Sequence, residues 1–268
     1  VQQPRLVASD VDGTLLPPHP KPTERTITAV ANVLASGTPF VLVTGRPPRW
    51  IPPIARYLPG VKTAVCANGA VLYDIAEDRV LSAITLKPEQ LRELSAIAER
   101  AVPGSWLAVE WVGERADDEI SIPRIETGRR PNWTDAYREV PRAQMAESPA
   151  IKLLIRHDEL NSDQIFAALA PHVGEDVSLT WSDPSGMIEA AAAGVTKATG
   201  LAEVAAAAGV DQADVIAFGD MPNDLEMLQW VGHGVAMGNA HPAILAVADE
   251  VTAPNTQDGV ALVLERWF

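Results

Sequence analysis

Both ends of this chain alternate short apolar runs with helical stretches, and that alternation admits few architectures. Leu6–Ser9, Phe40–Val43, Thr63–Ala67, Val215–Phe218 and Gly234–Met237 are each apolar at nearly every position. A strand with one wet face alternates apolar and polar residues, whereas a continuous run belongs to a strand covered on both faces. Helical stretches separate the runs. Thr23 can cap one that continues to about Ser36, with Ile27, Val30, Val33 and Leu34 on one side and Gly37 as its stop. Lys197 to Ala208, Leu225 to Val231, Ala243 to Ala248 and Gln257 to Trp267 supply the later helices, with Thr196 as a cap. Strand, helix and strand in repeated order predict an α/β fold with a parallel sheet between two helical layers.

The middle of the chain breaks this rhythm. Pro88 can open a helix through Arg100. Strand-like runs follow at Trp106–Trp111, Glu119–Pro123, Ile151–Arg156 and Val177–Trp181, with a helix at Ser162–Leu169 and a polar loop from Arg124 to Pro131. We expect a core built from residues 1–85 and 187–268, with an α+β unit inserted at 86–186.

Composition narrows the function classes. With 47% hydrophobic residues the 268-residue chain can bury a sizeable core. A net charge of −14 argues against nucleic acid and anionic membranes as partners. No apolar stretch approaches the roughly 18–20 residues of a spanning helix, no signal-like leader is seen, and Cys66 is the one cysteine. A cytoplasmic protein, with Cys66 as a buried thiol, is the expectation.

Chemistry concentrates where the apolar runs end. Asp10-Val11-Asp12-Gly13 follows the first run. Two carboxylates about 4 Å apart repel by roughly 4 kcal/mol at an effective dielectric of about 20, and a divalent cation offsets that. Thr44-Gly45-Arg46 ends the second run, Asn68-Gly69 the third, and Gly219-Asp220-Met221-Pro222-Asn223-Asp224 the fourth. Ligands of open parallel sheets gather beyond the carboxyl ends of the strands. Carboxylates, a hydroxyl, amides and Lys197 are therefore expected on one rim, a set suited to Mg²⁺ and a phosphoryl group.

These motifs resemble the haloacid dehalogenase-like hydrolases, and within them the Cof-type phosphatases with a large inserted cap. The matching segments are Asp10–Leu16, Thr44–Pro47, Asn68–Ala70, Lys197, Gly219–Asp224, Gly234–Ala240 and Asp258–Ala261. The resemblance implies a Rossmann-like core with an α+β cap domain, and a Mg²⁺-dependent phosphatase acting through an aspartyl-phosphate. It implies Asp10 as nucleophile and metal ligand. Asp12 is implied as acid and base, with its backbone carbonyl on the metal. Thr44 and Lys197 would hold the phosphoryl group, and Val11, Gly45, Arg46 and Asn223 line its site. Asp220 is implied as the second side-chain metal ligand, with Asp224 and Asn68 in support. The expected partner is a small phosphorylated metabolite such as a sugar phosphate, bound by a monomer or weak homodimer. The segment Ile188–Val195 carries alanines where relatives often have a bulkier apolar residue and a proline.

Two other readings fit parts of the pattern. A phosphosugar mutase would use the same rim. A phospho-receiver or phosphate-binding module would gather carboxylates, Thr and Lys, yet leaves Asp12 without a task. Trp106, Trp111, Trp133 and Trp181 could stack on a sugar, and Arg124, Arg129 and Arg130 could hold an anionic tail, although packing and solvation are the commoner fates of such residues. The five histidines show no paired ligand spacing, which argues against zinc.

Overall fold

A computed structural model describes residues 2–130 and 136–268. Its larger sheet begins with β1 (Leu6–Ser9), β2 (Phe40–Val43) and β3 (Thr63–Cys66), followed by a hairpin of β4 (Val71–Asp74) and β5 (Arg79–Ala83). The chain then builds a second sheet from β6 (Trp106–Glu110), β7 (Arg124–Glu126), β8 (Arg138–Val140), β9 (Lys152–Arg156), β10 (Val177–Thr180) and β11 (Met187–Ala192). It returns to the first with β12 (Val215–Gly219), β13 (His233–Ala236) and β14 (Glu250–Val251). The helices are α1 (Glu24–Ala35), α2 (Pro52–Ala55), α3 (Pro88–Ala101), α4 (Ser162–Leu169), α5 (Lys197–Ala207), α6 (Leu225–Trp230), α7 (Pro242–Leu245) and α8 (Gly259–Leu264).

The larger sheet runs β14-β13-β12-β1-β2-β3-β4-β5. The strands from β14 to β3 are parallel, and the hairpin adds two antiparallel strands at one edge. Residue parity divides its burial. Val7, Leu42, Ala64, Ile216 and Val235 pack with Val30 and Val33 of α1 and Val260 and Val263 of α8. Leu6, Ala8, Val41, Val65, Val215 and Ala217 pack with Leu201 of α5, Met227 of α6 and Ile244 of α7. Both parities are apolar because both faces are covered. Strand order reverses between β1 and β12, the switch point where such sheets open a crevice.

The smaller sheet, in the order β10-β11-β9-β6-β7-β8, is antiparallel except for the β7–β8 pair. One of its faces, with Leu107, Val109, Leu153, Ile155 and Ile188, is packed by α3 and α4. The opposite parity presents Glu110, Lys152, Leu154, Arg156, Met187 and Glu189 to a cavity over the first sheet. The period of two along β6, β9 and β11 therefore selects the residues that face it.

β11 falls after the boundary expected at 186/187 and pairs with β9 and β10 of the smaller sheet. Three sequence expectations about single elements change. Glu119–Pro123, expected as a strand, contains a 3-10 turn at Glu119–Ser121. There Ser121 N–H bonds the Asp118 carbonyl and Ser121 Oγ accepts from Gly113 N–H, folding the segment on itself. The polar stretch after it opens with β7 rather than a loop. The last helix shortens to α8, because Asp258 adopts a left-handed φ of 58° after a 3-10 turn at Asn255–Gln257.

Candidate active site

The switch point brings two acidic segments together. Asp10 N–H donates to the Phe218 carbonyl (2.9 Å), which extends β1 one residue along β12 and aims Asp10 at Asp220. Gly13 then turns the chain with φ 79°; a Cβ there would stand 2.2 Å from Asp220 Oδ2, so only glycine permits this approach. Thr14 Oγ1 donates to Asp220 Oδ1 (2.7 Å). On the next turn Asp224 is fully occupied. Its Oδ2 accepts from the N–H groups of Asp220 (2.9 Å) and Met221 (3.1 Å), and its Oδ1 accepts from Lys197 Nζ (2.5 Å).

Lys197 arrives from the first position of α5, which Thr196 caps by accepting from Thr199 N–H. The start of that helix packs on the turn after β3. A Cβ on Gly69 would lie 2.0 Å from the Thr196 carbonyl oxygen, so the glycine there sets how far Lys197 reaches. Lys197 Nζ also donates to Asp10 Oδ1 (2.5 Å), and Lys197 is wholly buried. Asp10, Asp220 and Asp224 each offer an oxygen within 4.8 Å of the others.

Electrostatics show a surplus of negative charge. Burial raises the Asp10 carboxyl well above the usual range, against the pull of Lys197 and with help from Asp224, Asp220 and Asp12. Burial, then Asp224, pushes Asp220 up to about 7, although the Thr14 bond and Lys197 oppose it. Burial alone would lower the Lys197 pKa, but Asp10 and Asp224 outweigh it and hold the ammonium above the ordinary lysine range. Three buried carboxylates thus share one buried ammonium, a balance that a bound cation completes. Asp10 Oδ2 and Asp220 Oδ2 accept no hydrogen bond among the described residues, and both residues line the cavity. An all-oxygen donor set of this kind fits Mg²⁺.

Across the rim, Arg46 forks onto Asp12, with Nε on Oδ2 (2.7 Å) and Nη2 on Oδ1 (2.6 Å). Thr44 continues β2 through its N–H bond to Val65 (2.8 Å), and its hydroxyl accepts from Arg46 N–H (3.1 Å). The turn at Ala67, Asn68 and Gly69 has φ of 49°, 57° and 104°, left-handed throughout. That strain holds the Asn68 side chain toward Asn223, whose Nδ2 donates to Asn68 Oδ1 (3.0 Å).

The model of the haloacid dehalogenase-like hydrolase family matches residues 7–264. The chain belongs to this family. It is 32% identical to the pyridoxal phosphate phosphatase YbhA of Escherichia coli over 96% of both proteins. It is 31% identical to the 5-amino-6-(5-phospho-D-ribitylamino)uracil phosphatase YitU of Bacillus subtilis, covering 99% of this chain and 98% of that protein. A sugar phosphatase of subclass IIB in the same superfamily shares its fold, with a TM-score of 0.82 at 22% identity over 98% of both chains. The haloacid dehalogenase-like protein described here is an enzyme, a phosphatase of this family.

Its cavity measures about 740 Å³ and is lined by Asp10, Asp12, Thr44, Gly45, Arg46, Asp220 and Asn223 below and by the smaller sheet above. Of the other expected residues, Asn68, Lys197 and Asp224 are buried behind this lining, and the Val11 side chain is buried in the core, so that only its backbone can serve the site. Among the described residues, neither the three tryptophans singled out nor Arg124, Arg129 and Arg130 line the cavity. Trp106 donates to Asp158 and lies under Arg156, Trp111 lies under Arg124, and Trp181 packs on Phe166. Trp133 lies outside the described residues. Trp50, Glu110, Lys152, Arg156, Ser182 and Glu189 line the cavity unforeseen. A signal existed for Lys152 and Glu189, since each is a lone charge in an apolar run and a buried charge requires a partner.

Proposed function

We propose that this enzyme is a Mg²⁺-dependent phosphatase of small phosphorylated metabolites, sugar phosphates among them, working through an aspartyl-phosphate on Asp10. The carrying observation is the buried cluster of Asp10, Asp220 and Lys197 at the switch point, beside Asp12 on the same loop. In this reading Asp10 and Asp220 hold the cation with their carboxylates and Asp12 with its backbone carbonyl. Asp224, with both oxygens engaged, supports Lys197 and the turn instead. When bound, the cation offsets charge between the carboxylates and the incoming phosphate.

The Asp10 carboxylate attacks phosphorus, the bond to the leaving oxygen breaks, and Asp12 donates a proton to that oxygen. Water then loses a proton to Asp12 and attacks the aspartyl-phosphate, releasing inorganic phosphate and regenerating Asp10. Lys197 neutralises Asp10 and, with the Thr44 hydroxyl and backbone N–H groups of the rim at Val11, Gly45 and Arg46, binds the phosphoryl oxygens, while Asn223 lines the site beside them. The Arg46 fork occupies both Asp12 oxygens, so Asp12 acts as an acid only after Arg46 turns aside. A cavity of about 740 Å³ has the size of a small-metabolite site, and the smaller sheet over it excludes water and meets the leaving group. The lone buried Cys66 supports a reducing, cytoplasmic setting.

Phosphate release from a panel that includes pyridoxal phosphate and sugar phosphates, with Mg²⁺ and with a chelator, tests this. Release that needs Mg²⁺ and disappears in Asp10→Asn is expected. Full activity in Asp10→Asn would remove the covalent route.

A further inference from the structure

Two charged residues of the smaller sheet have no part in the chemistry above. Lys152 and Glu189 have side chains only 5% and 3% exposed. Lys152 Nζ donates to Glu189 Oε2 (2.5 Å) and to the Gly45 carbonyl (2.6 Å). Glu189 Oε2 accepts from Asn68 Nδ2 (3.0 Å), and Asn68 Oδ1 accepts from Asn223 Nδ2 (3.0 Å). The other Glu189 oxygen accepts from Ser182 Oγ (2.6 Å). A continuous chain of hydrogen bonds therefore runs from the smaller sheet into the phosphoryl site.

The direction of that chain is forced. An ammonium only donates, and a carboxylate bonded to it only accepts. Asn68 must then turn its Nδ2 to Glu189 and its Oδ1 away. Asn223 must meet that oxygen with its own Nδ2. One acceptor is left over: Asn223 Oδ1 is buried without a hydrogen-bond partner among the described residues, in a side chain that lines the cavity. An amide alone gains little from either of its two orientations. Here the choice is made by a charge two amides away. A buried ion pair contributes little net stability compared with well-packed apolar residues, so what this pair supplies is orientation.

We propose that Lys152 and Glu189 are positioning residues for phosphoryl transfer. The pair sets the amide direction of Asn68 and Asn223, and Lys152 fixes the Gly45 carbonyl and with it the turn that carries Thr44 and Arg46. Asn223 Oδ1 is thereby assigned as an acceptor for a donor bound in the site, such as a water. This rests on the phosphatase reading.

The double variant K152M/E189M keeps the volume and removes the polarity. Its melting temperature should stay close to wild type, while kcat falls about tenfold or more and inorganic phosphate inhibits about tenfold more weakly, the range seen when outer partners of a site are removed. E189Q is the second variant, because its amide can face Asn68 either way and no longer carries the charge that holds Lys152. Combined with N68A, E189Q should cost no more than either change alone. Unchanged kcat and phosphate inhibition in folded K152M/E189M would overturn the proposal, as would losses that multiply in E189Q/N68A. Asp10→Asn assayed in parallel separates the two readings: its activity would remove the phosphatase chemistry, whereas an inactive Asp10→Asn beside fully active K152M/E189M removes only the positioning role.

Discussion

Asp10 and Asp12 are separated by one residue and share little of their surroundings. Asp10 is buried on Lys197, whereas the Asp12 side chain is 54% exposed beneath the Arg46 fork. That difference predicts different damage. Asp10→Asn should abolish both turnover and any acid-stable phosphate on the protein, read by rapid quench. Asp12→Asn should still bind substrate but slow formation and hydrolysis of the intermediate, lowering kcat by about 10²–10⁴-fold, the usual worth of a general acid–base. The motif acids, Thr44, Asn68, Asn223 and Lys197 were legible because each lies at a strand end or helix start that local pattern already marks. Lys152 and Glu189 were not, although each stands out as a charge in an apolar run. Their partners lie on distant segments, Glu189 at a sequence separation of 37 from Lys152 and Gly45 at 107, so no local pattern names them.

Elements obey the same division. β1, β2 and α4 fall where their apolar runs and caps place them, and α1 starts after Thr23, whose Oγ1 accepts from Thr26 N–H (3.1 Å). Thr23 also donates to Asp258 (2.6 Å), joining α1 to the turn before α8. Thr23→Ala should cost about 1 kcal/mol of stability, the usual loss of an N-cap, with kcat unchanged, as read by denaturant melts beside an activity assay. β8 and β11 escaped notice for physical reasons. β8 is a short edge strand of Arg138, Glu139 and Val140, whose charges face water. β11 is rich in alanine, a weak strand former, and its place between β9 and β10 is decided by their pairing rather than by its own propensity.

At the scale of the whole molecule, the site works against the fold until a cation arrives. Asp220 is held up to about 7 against an ordinary 3.8, mainly by burial and then by Asp224. The folded protein therefore keeps a proton that the unfolded chain has lost, and stability should fall as pH rises from about 4 to about 7 in a chelator. In the proposed reading Mg²⁺ takes the proton's place, so it should raise the melting temperature more at pH 8 than at pH 5. At about 100 times its Kd that gain is about 2.7 kcal/mol, or about 5 °C or more for a chain of this size. Scanning fluorimetry at both pH values, with chelator and with Mg²⁺, checks this, and Asp220→Asn should flatten both dependences.

The family assignment rests on matches along nearly the whole chain, and among the described residues no helix is long and apolar enough to cross a membrane. By itself the sequence determined the parallel α/β sheet and the rim where its acids gather, because runs apolar at both parities must be covered on both faces and polar strand ends then share one edge. Only the tertiary structure decided what stands above that rim. The period of two along β6, β9 and β11 could have turned either face inward. Packing of the other face against α3 and α4 turned Glu110, Lys152, Arg156 and Glu189 to the cavity, and only there could a buried ammonium and carboxylate find the asparagines they orient.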